Sequence, residues 1–208
     1  MKIISIKAGS EVCRVELSDG SFFSFKPCYL AAEYFPQAGG ELAVGGELTS
    51  AEENALRFAS ACMRAEKAAL RLIARAEQCC FGLAYKLQQR GHESACASAV
   101  VSRLASLEMV DDKRYAQLWL ESRVGYTRSP RRLFASLCGR GIERGTAEAA
   151  LKTVLDEETE LSLLACFVEK RMKNAVNRKA NRDYSVKYLL KAEGFSSLAI
   201  EKYFDGDV

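Results

Sequence analysis

Along the first fifty positions, apolar and polar residues follow a period of two. Lys2 to Lys7 alternates, with Ile4 and Ile6 on one face. Val12 to Leu17 places Cys13, Val15 and Leu17 on a single side, as a half-buried strand requires. Asp19-Gly20 supplies left-handed turn residues, Phe23 and Phe25 continue the pattern on a return strand, and Pro27 closes it. A short segment, Cys28 to Phe35, leads into a link with Gly39-Gly40 and Gly45-Gly46. The period then changes to three and four. Thr49-Ser50 predicts a helix start, with Ser50 and Glu53 at capping-box spacing. From there to the end only Pro130 interrupts, so the body of the chain reads as all-α.

A repeat emerges when glycines serve as anchors. Leu83, Leu87, Gly91 and His92 recur as Leu133, Leu137, Gly141 and Ile142, then as Val186, Leu190, Gly194 and Phe195, at offsets of 50 and 53 residues. Six residues after each glycine stand Ala97, Ala147 and Ile200, and ten after stand Val101, Leu151 and Phe204. Each glycine suits a helix end that turns left-handed. Helical stretches precede the units at Ala65 to Ala76, Lys113 to Val124 and Glu158 to Met172. The expected fold is mainly α, with three tandem three-helix repeats in an extended curved array behind a small β-hairpin unit. The expected boundaries are 1–48 for the β unit and 49–110, 111–156 and 157–208 for the repeats, the first including an entry helix.

Composition narrows the class. At 49% hydrophobic and 27% charged residues the chain is ordinary globular material. Its longest uncharged run, Ser94 to Ser102, is half of what a spanning helix needs, and no signal-peptide core follows the N-terminus. A cytoplasmic protein without membrane contact is expected. The eight cysteines form no CxxC and the one histidine, His92, lies at no metal-ligand spacing, so reduced buried thiols without metal are expected. No phosphate-binding glycine loop, HExxH or His-based nucleophile system is present. That leaves no catalytic residues and no cofactor to assign.

Charge changes the picture more. Residues 1–55 net −4 and residues 56–208 net +7. Between Ser122 and Gly145 lie Arg123, Arg128, Arg131, Arg132, Arg140 and Arg144 against one acid, Glu143. Between Lys170 and Lys191 lie Lys170, Arg171, Lys173, Arg178, Lys179, Arg182, Lys187 and Lys191 against Asp183. Such clusters are the footprint of phosphate binding, and arginine favours bidentate contacts. Asp111 and Asp112 read as a helix cap. Trp119, Tyr115 and Leu118 read as core of the second repeat, and His92 as a packing position matching Ile142 and Phe195. Tyr126, Tyr184 and Tyr188 could stack on bases, with packing the more common use of such residues.

These motifs carry a family resemblance. Leu107-Glu-Met-Val-Asp111-Asp112-Lys-Arg114-Tyr115-Ala116 resembles the junction between the first and second repeats of RecX-type regulatory proteins. Ser129-Pro130-Arg131-Arg132-Leu133, Leu137 and Arg140-Gly141-Ile142 are similar to that family's second-repeat motif. Tyr188-Leu-Leu190-Lys-Ala-Glu-Gly194-Phe195-Ser196 resembles the third. The resemblance implies a non-enzymatic negative modulator that binds the RecA recombinase and its filament on single-stranded DNA, with weak direct DNA contact. It would limit filament growth, ATP hydrolysis, strand exchange and co-protease activity. Four positions depart from the family pattern. Cys79 replaces a helix-starting Ser or Thr, Gly82 a glutamate, Ser129 a glycine, and Glu193 a basic residue. The residues themselves leave a second reading open, a stand-alone DNA-binding module of helix-turn-helix-like repeats acting as a transcription factor.

Overall fold

Three antiparallel strands begin the chain: β1 (Ile3–Ala8), β2 (Cys13–Leu17) and β3 (Phe22–Phe25), with β2 central. The computed structural model describes residues 1–9, 11–34, 42–124, 128–172 and 183–205, with backbone alone at 171–172 and 183–185. Gly39-Gly40 of the expected link therefore lies outside the described residues. The alternation of β2 holds, since Cys13, Val15 and Leu17 are all buried. In β1 the expected face is wrong. Ile3 is buried and Ile4 exposed, because the pairing with β2 shifts between Ile3 and Ser5. A bulge of this kind inserts one residue and reverses the parity of the strand. Ile3 thus pairs with Leu17 and Ile6 with Val15 on the same inner face, an odd number of residues apart. Gly20 takes the turn at φ 82°, beside an Asp19 carboxylate that accepts bonds from the hydroxyl and amide of Ser21. Those bonds hold the Asp19 carboxyl below its usual value.

Two short 3₁₀ turns, Pro27–Tyr29 and Ala32–Tyr34, lead away from the sheet. Helix α1 (Ser50–Ile73) then serves two cores. Its first turns place Leu56 and Ala59 against Val15, Leu17 and Phe25 of the sheet. Its later turns place Cys62, Ala65 and Ala69 against Leu83 and Leu87 of α2 (Cys80–Gln88), and against Ala97, Val100 and Leu104 of α3 (Ser94–Ser106). The capping box exists one residue earlier than expected. Thr49 accepts from the Glu52 amide, and the Glu52 carboxylate accepts from the Thr49 amide at 2.6 Å. Thr49-Ser50 and Glu52-Glu53 offer two boxes at equal spacing, and the extended backbone at Thr49 selects the first.

Among the described residues the remaining helices are α4 (Asp112–Glu121), α5 (Pro130–Cys138), α6 (Arg144–Val154), α7 (Glu157–Phe167, continuing as a π-helical turn Val168–Met172), α8 (Asp183–Ala192) and α9 (Ser197–Asp205). The chain divides into two compact units, Met1–Val110 and Asp111–Val208. Asp111 caps α4, its carboxylate accepting from the amides of Lys113 and Arg114 at 2.8 and 3.1 Å. Leu118 is not core but 47% exposed, because α4 buries the stripe Ala116, Trp119 and Leu120. Tyr115 is half-buried.

The three anchoring glycines perform the same act. Gly91, Gly141 and Gly194 have φ of 82°, 81° and 90°. At each, the next residue reaches back five positions, from His92 to Leu87, Ile142 to Leu137 and Phe195 to Leu190, every bond 3.2 Å. The glycine amides themselves reach Gln88, Cys138 and Lys191. This double closure is the Schellman motif, and its companion apolar contact explains why Ile142 and Phe195 are buried. His92 at the same place is half-buried.

Candidate nucleic-acid interface

The arginines of the second unit cluster around α4, α5 and α6. Ser129 precedes Pro130 at the first helical position of α5, yet makes no capping bond. Its hydroxyl, fully buried, instead donates to the carboxylate of Glu193, sixty-four residues later. Both residues are departures from the pattern of the resemblance, and each accounts for the other. A glycine and a basic residue at these places could not make this bond. The Arg131 amide also donates to the Glu193 carbonyl at 2.9 Å, and the Arg131 guanidinium to the Ala192 carbonyl at 3.4 Å. Arg131 thus sits at the negative end of α8, a placement that stabilises the fold.

The other arginines separate into two groups. Arg140 and Arg123 lie 5.0 and 5.8 Å from the ring centre of Trp119, and Arg144 lies 5.4 Å from that of Phe134. Stacking of this kind fixes the plane of a guanidinium. Arg128 and Arg132 are exposed and line one groove with Ala135 and Ser136. Arg132 stands in the first turn of α5, where the helix dipole opposes a cation. Helix stability does not explain it there. A phosphate at the helix start would relieve that conflict.

In the last repeat, Lys187 and Lys191 line a groove between α8 and α9, and the Lys187 ammonium lies 5.1 Å from the ring centre of Phe204. Lys170 is exposed. Lys173, Arg178, Lys179, Arg182 and Tyr126 lie outside the described residues, as do the side chains of Arg171 and Tyr184. Tyr188 overturns the packing expectation, being 69% exposed. Ser196 joins the repeat together, donating through its amide and hydroxyl to Glu160 while accepting from the Ala199 amide. Lys202 pairs with Glu157.

A family model described as "RecX, second three-helix domain" matches residues 111–151. The chain is 34% identical to the regulatory protein RecX of Treponema pallidum over 128 residues, covering 61% of this chain and 78% of that one. The chain belongs to the RecX family of regulatory proteins. A second RecX protein, from Halorhodospira halophila, is 36% identical over 47% of this chain and 58% of its own. Among solved structures, a regulatory protein RecX superposes with a TM-score of 0.68 over 98% of both chains at 20% identity. RecX from Lactobacillus salivarius does so at 0.55 over 71% of this chain and 97% of that one, at 21% identity. At such identity the structures speak for the fold.

Charge in the first unit of this RecX-family chain is arranged differently, and sequence reasoning missed it. Glu66 on α1 is 4% exposed, with the Lys26 ammonium at 2.9 Å and Arg103 at 4.0 Å. Arg103 also lies 5.9 Å from the ring centre of Tyr29, whose hydroxyl burial pushes well above its usual value. Nothing in the local sequence marks Glu66, because its partners are distant in the chain. All eight cysteines are free thiols; burial, with a bond to Cys96, pushes Cys62 up to about 12. Among the described residues no group of three or more His, Cys, Asp or Glu could hold a metal, and no helix is long and apolar enough to cross a membrane.

Proposed function

We propose that this RecX-family protein is a non-enzymatic negative modulator of RecA. It binds RecA and its filament on single-stranded DNA, and limits filament growth, ATP hydrolysis, strand exchange and co-protease activity. Family membership supports a regulatory role. The observation that supports the finer reading is the pair Arg128 and Arg132, exposed in one groove at a helix start where the dipole disfavours a cation and an anionic ligand would offset that cost. Residues 49–110, 111–156 and 157–208 would act as three repeats, with 1–48 as a β extension. Arg123, Arg140 and Arg144 would add positive charge held against rings, and Lys170, Lys187 and Lys191 would add a second cationic surface. The partners in this reading are RecA and its filament on single-stranded DNA, with weak direct DNA contact.

The test is steady-state ATP hydrolysis by RecA on single-stranded DNA with this protein added at rising ratios. A modulator of filament growth suppresses hydrolysis well below one molecule per RecA monomer, since it acts on growing ends or across several subunits. No inhibition at equimolar protein would sink the reading. Inhibition only at amounts that coat the DNA would favour a stand-alone DNA-binding module.

A further inference from the structure

The groove between α8 and α9 is lined by Lys187, Tyr188, Lys191, Ser197, Ile200 and Glu201. Tyr188 dominates it, with 69% of its surface exposed. A ring placed for packing would be buried as Phe195 is, so the fold does not explain this one. Its register supplies a second observation. Tyr188 stands six residues before Gly194, and Tyr85 stands six residues before Gly91. Tyr85 is 56% exposed, and Phe81, one turn earlier on α2, is 58% exposed. Scattered exposed apolar residues are ordinary, but two tyrosines at one repeat position are not scattered. The matching position in the middle repeat is Ala135, which lines the groove of Arg128 and Arg132. The outer face of the second helix therefore carries a ring in repeats one and three, and arginines in repeat two.

We propose that Tyr188 is a platform on which a base of single-stranded nucleic acid stacks, and that Tyr85 is its counterpart in the first repeat. The claim rests on the nucleic-acid part of the function proposed above. Lys187 and Lys191 flank the ring within one helical turn and would meet phosphates on either side, against the single acid Glu201 in the lining. A duplex hides its base faces, so a stacking ring selects single strands, and it tolerates any sequence because every base has a π face. That combination suits a protein acting along a filament of arbitrary sequence.

The experiment compares the full-length protein with Tyr188→Ala and Tyr188→Phe on oligothymidine and on an abasic strand of equal length and charge. Tyr188→Ala is expected to weaken oligothymidine binding about fivefold or more while leaving the abasic strand and the salt slope unchanged. Tyr188→Phe keeps the ring and should bind as the parent does. Equal losses on both strands, or no loss on either, would overturn the proposal. So would a parent protein that binds the two strands alike. If Tyr188→Ala relieves inhibition of RecA yet binds oligothymidine normally, the ring touches protein; stacking is then refuted while the regulatory reading stands. Failure of that reading shows separately, as an absence of inhibition by the parent.

Discussion

The two compact units handle charge in opposite ways. In the first, Glu66 is closed into the interior and answered there by Lys26 and Arg103. In the second, Arg128 and Arg132 face solvent, and Arg140, Arg123 and Arg144 rest against aromatic rings. A buried carboxylate must be answered where it lies, since removing one partner strands the other in a poor solvent. An exposed guanidinium makes no such demand on the fold. Lys26 and Arg103 are therefore structural, while Arg128 and Arg132 are not held by the fold.

The largest test of this contrast lies in the first unit. Lys26→Met keeps the apolar stem and leaves Glu66 with Arg103 at 4.0 Å as its remaining cation. Stability should fall by about 3 kcal/mol in urea unfolding, with affinity for single-stranded DNA unchanged in the folded protein. A loss below about 1 kcal/mol would mean that water reaches Glu66 and the contrast is overstated.

A middle-sized effect compares two of the glycine turns. Gly91→Ala places a methyl in open space and should cost about 1 kcal/mol for the left-handed backbone alone. Gly194→Ala meets the Arg131 amide nitrogen at 3.2 Å and the Pro130 and Arg131 side chains at 3.6 Å. It should cost about 2 kcal/mol. Thermal unfolding of both variants decides whether the α5–α8 junction is as tight as it looks; equal losses would say it yields.

The smallest effect on stability, and the sharpest on binding, belongs to Arg128 and Arg132. Replacing both by alanine should move stability by no more than about 0.5 kcal/mol, because neither supports the fold. It should flatten the dependence of log affinity on log salt by about one to two units. Arg131 is left out because its bond to the Ala192 carbonyl would mix folding with binding. An unchanged slope in the folded double variant would place both arginines against solvent or protein.

Much of this architecture was legible in the order of residues, and the exceptions have physical causes. The face of β2 and the three glycine turns are local patterns, each decided within a few residues. The bulge in β1 is not written in its alternation, because a bulge forms only against a partner strand. Leu118 misled because its spacing from Tyr115 is helical, while the core of α4 runs one residue out of phase through Ala116 and Leu120. The basic clusters marked the region of the candidate interface, but their division into stacked, capping and exposed arginines depends on Trp119, Phe134 and Ala192, which composition cannot locate. Ser129 and Glu193 stood out in the sequence only as departures from the family pattern, and contact across sixty-four residues turns them into a bond.

Trp119 gives the protein an indicator of its own. It is the sole tryptophan of the chain, 9% exposed, and two of the guanidiniums proposed to meet a ligand lie against its ring. Emission from an indole responds to nearby charge. A partner that drew Arg140 or Arg123 away would alter the colour and brightness of that single emitter. Occupancy of the arginine surface could then be followed optically in unlabelled protein, with no dye to perturb the contacts under study.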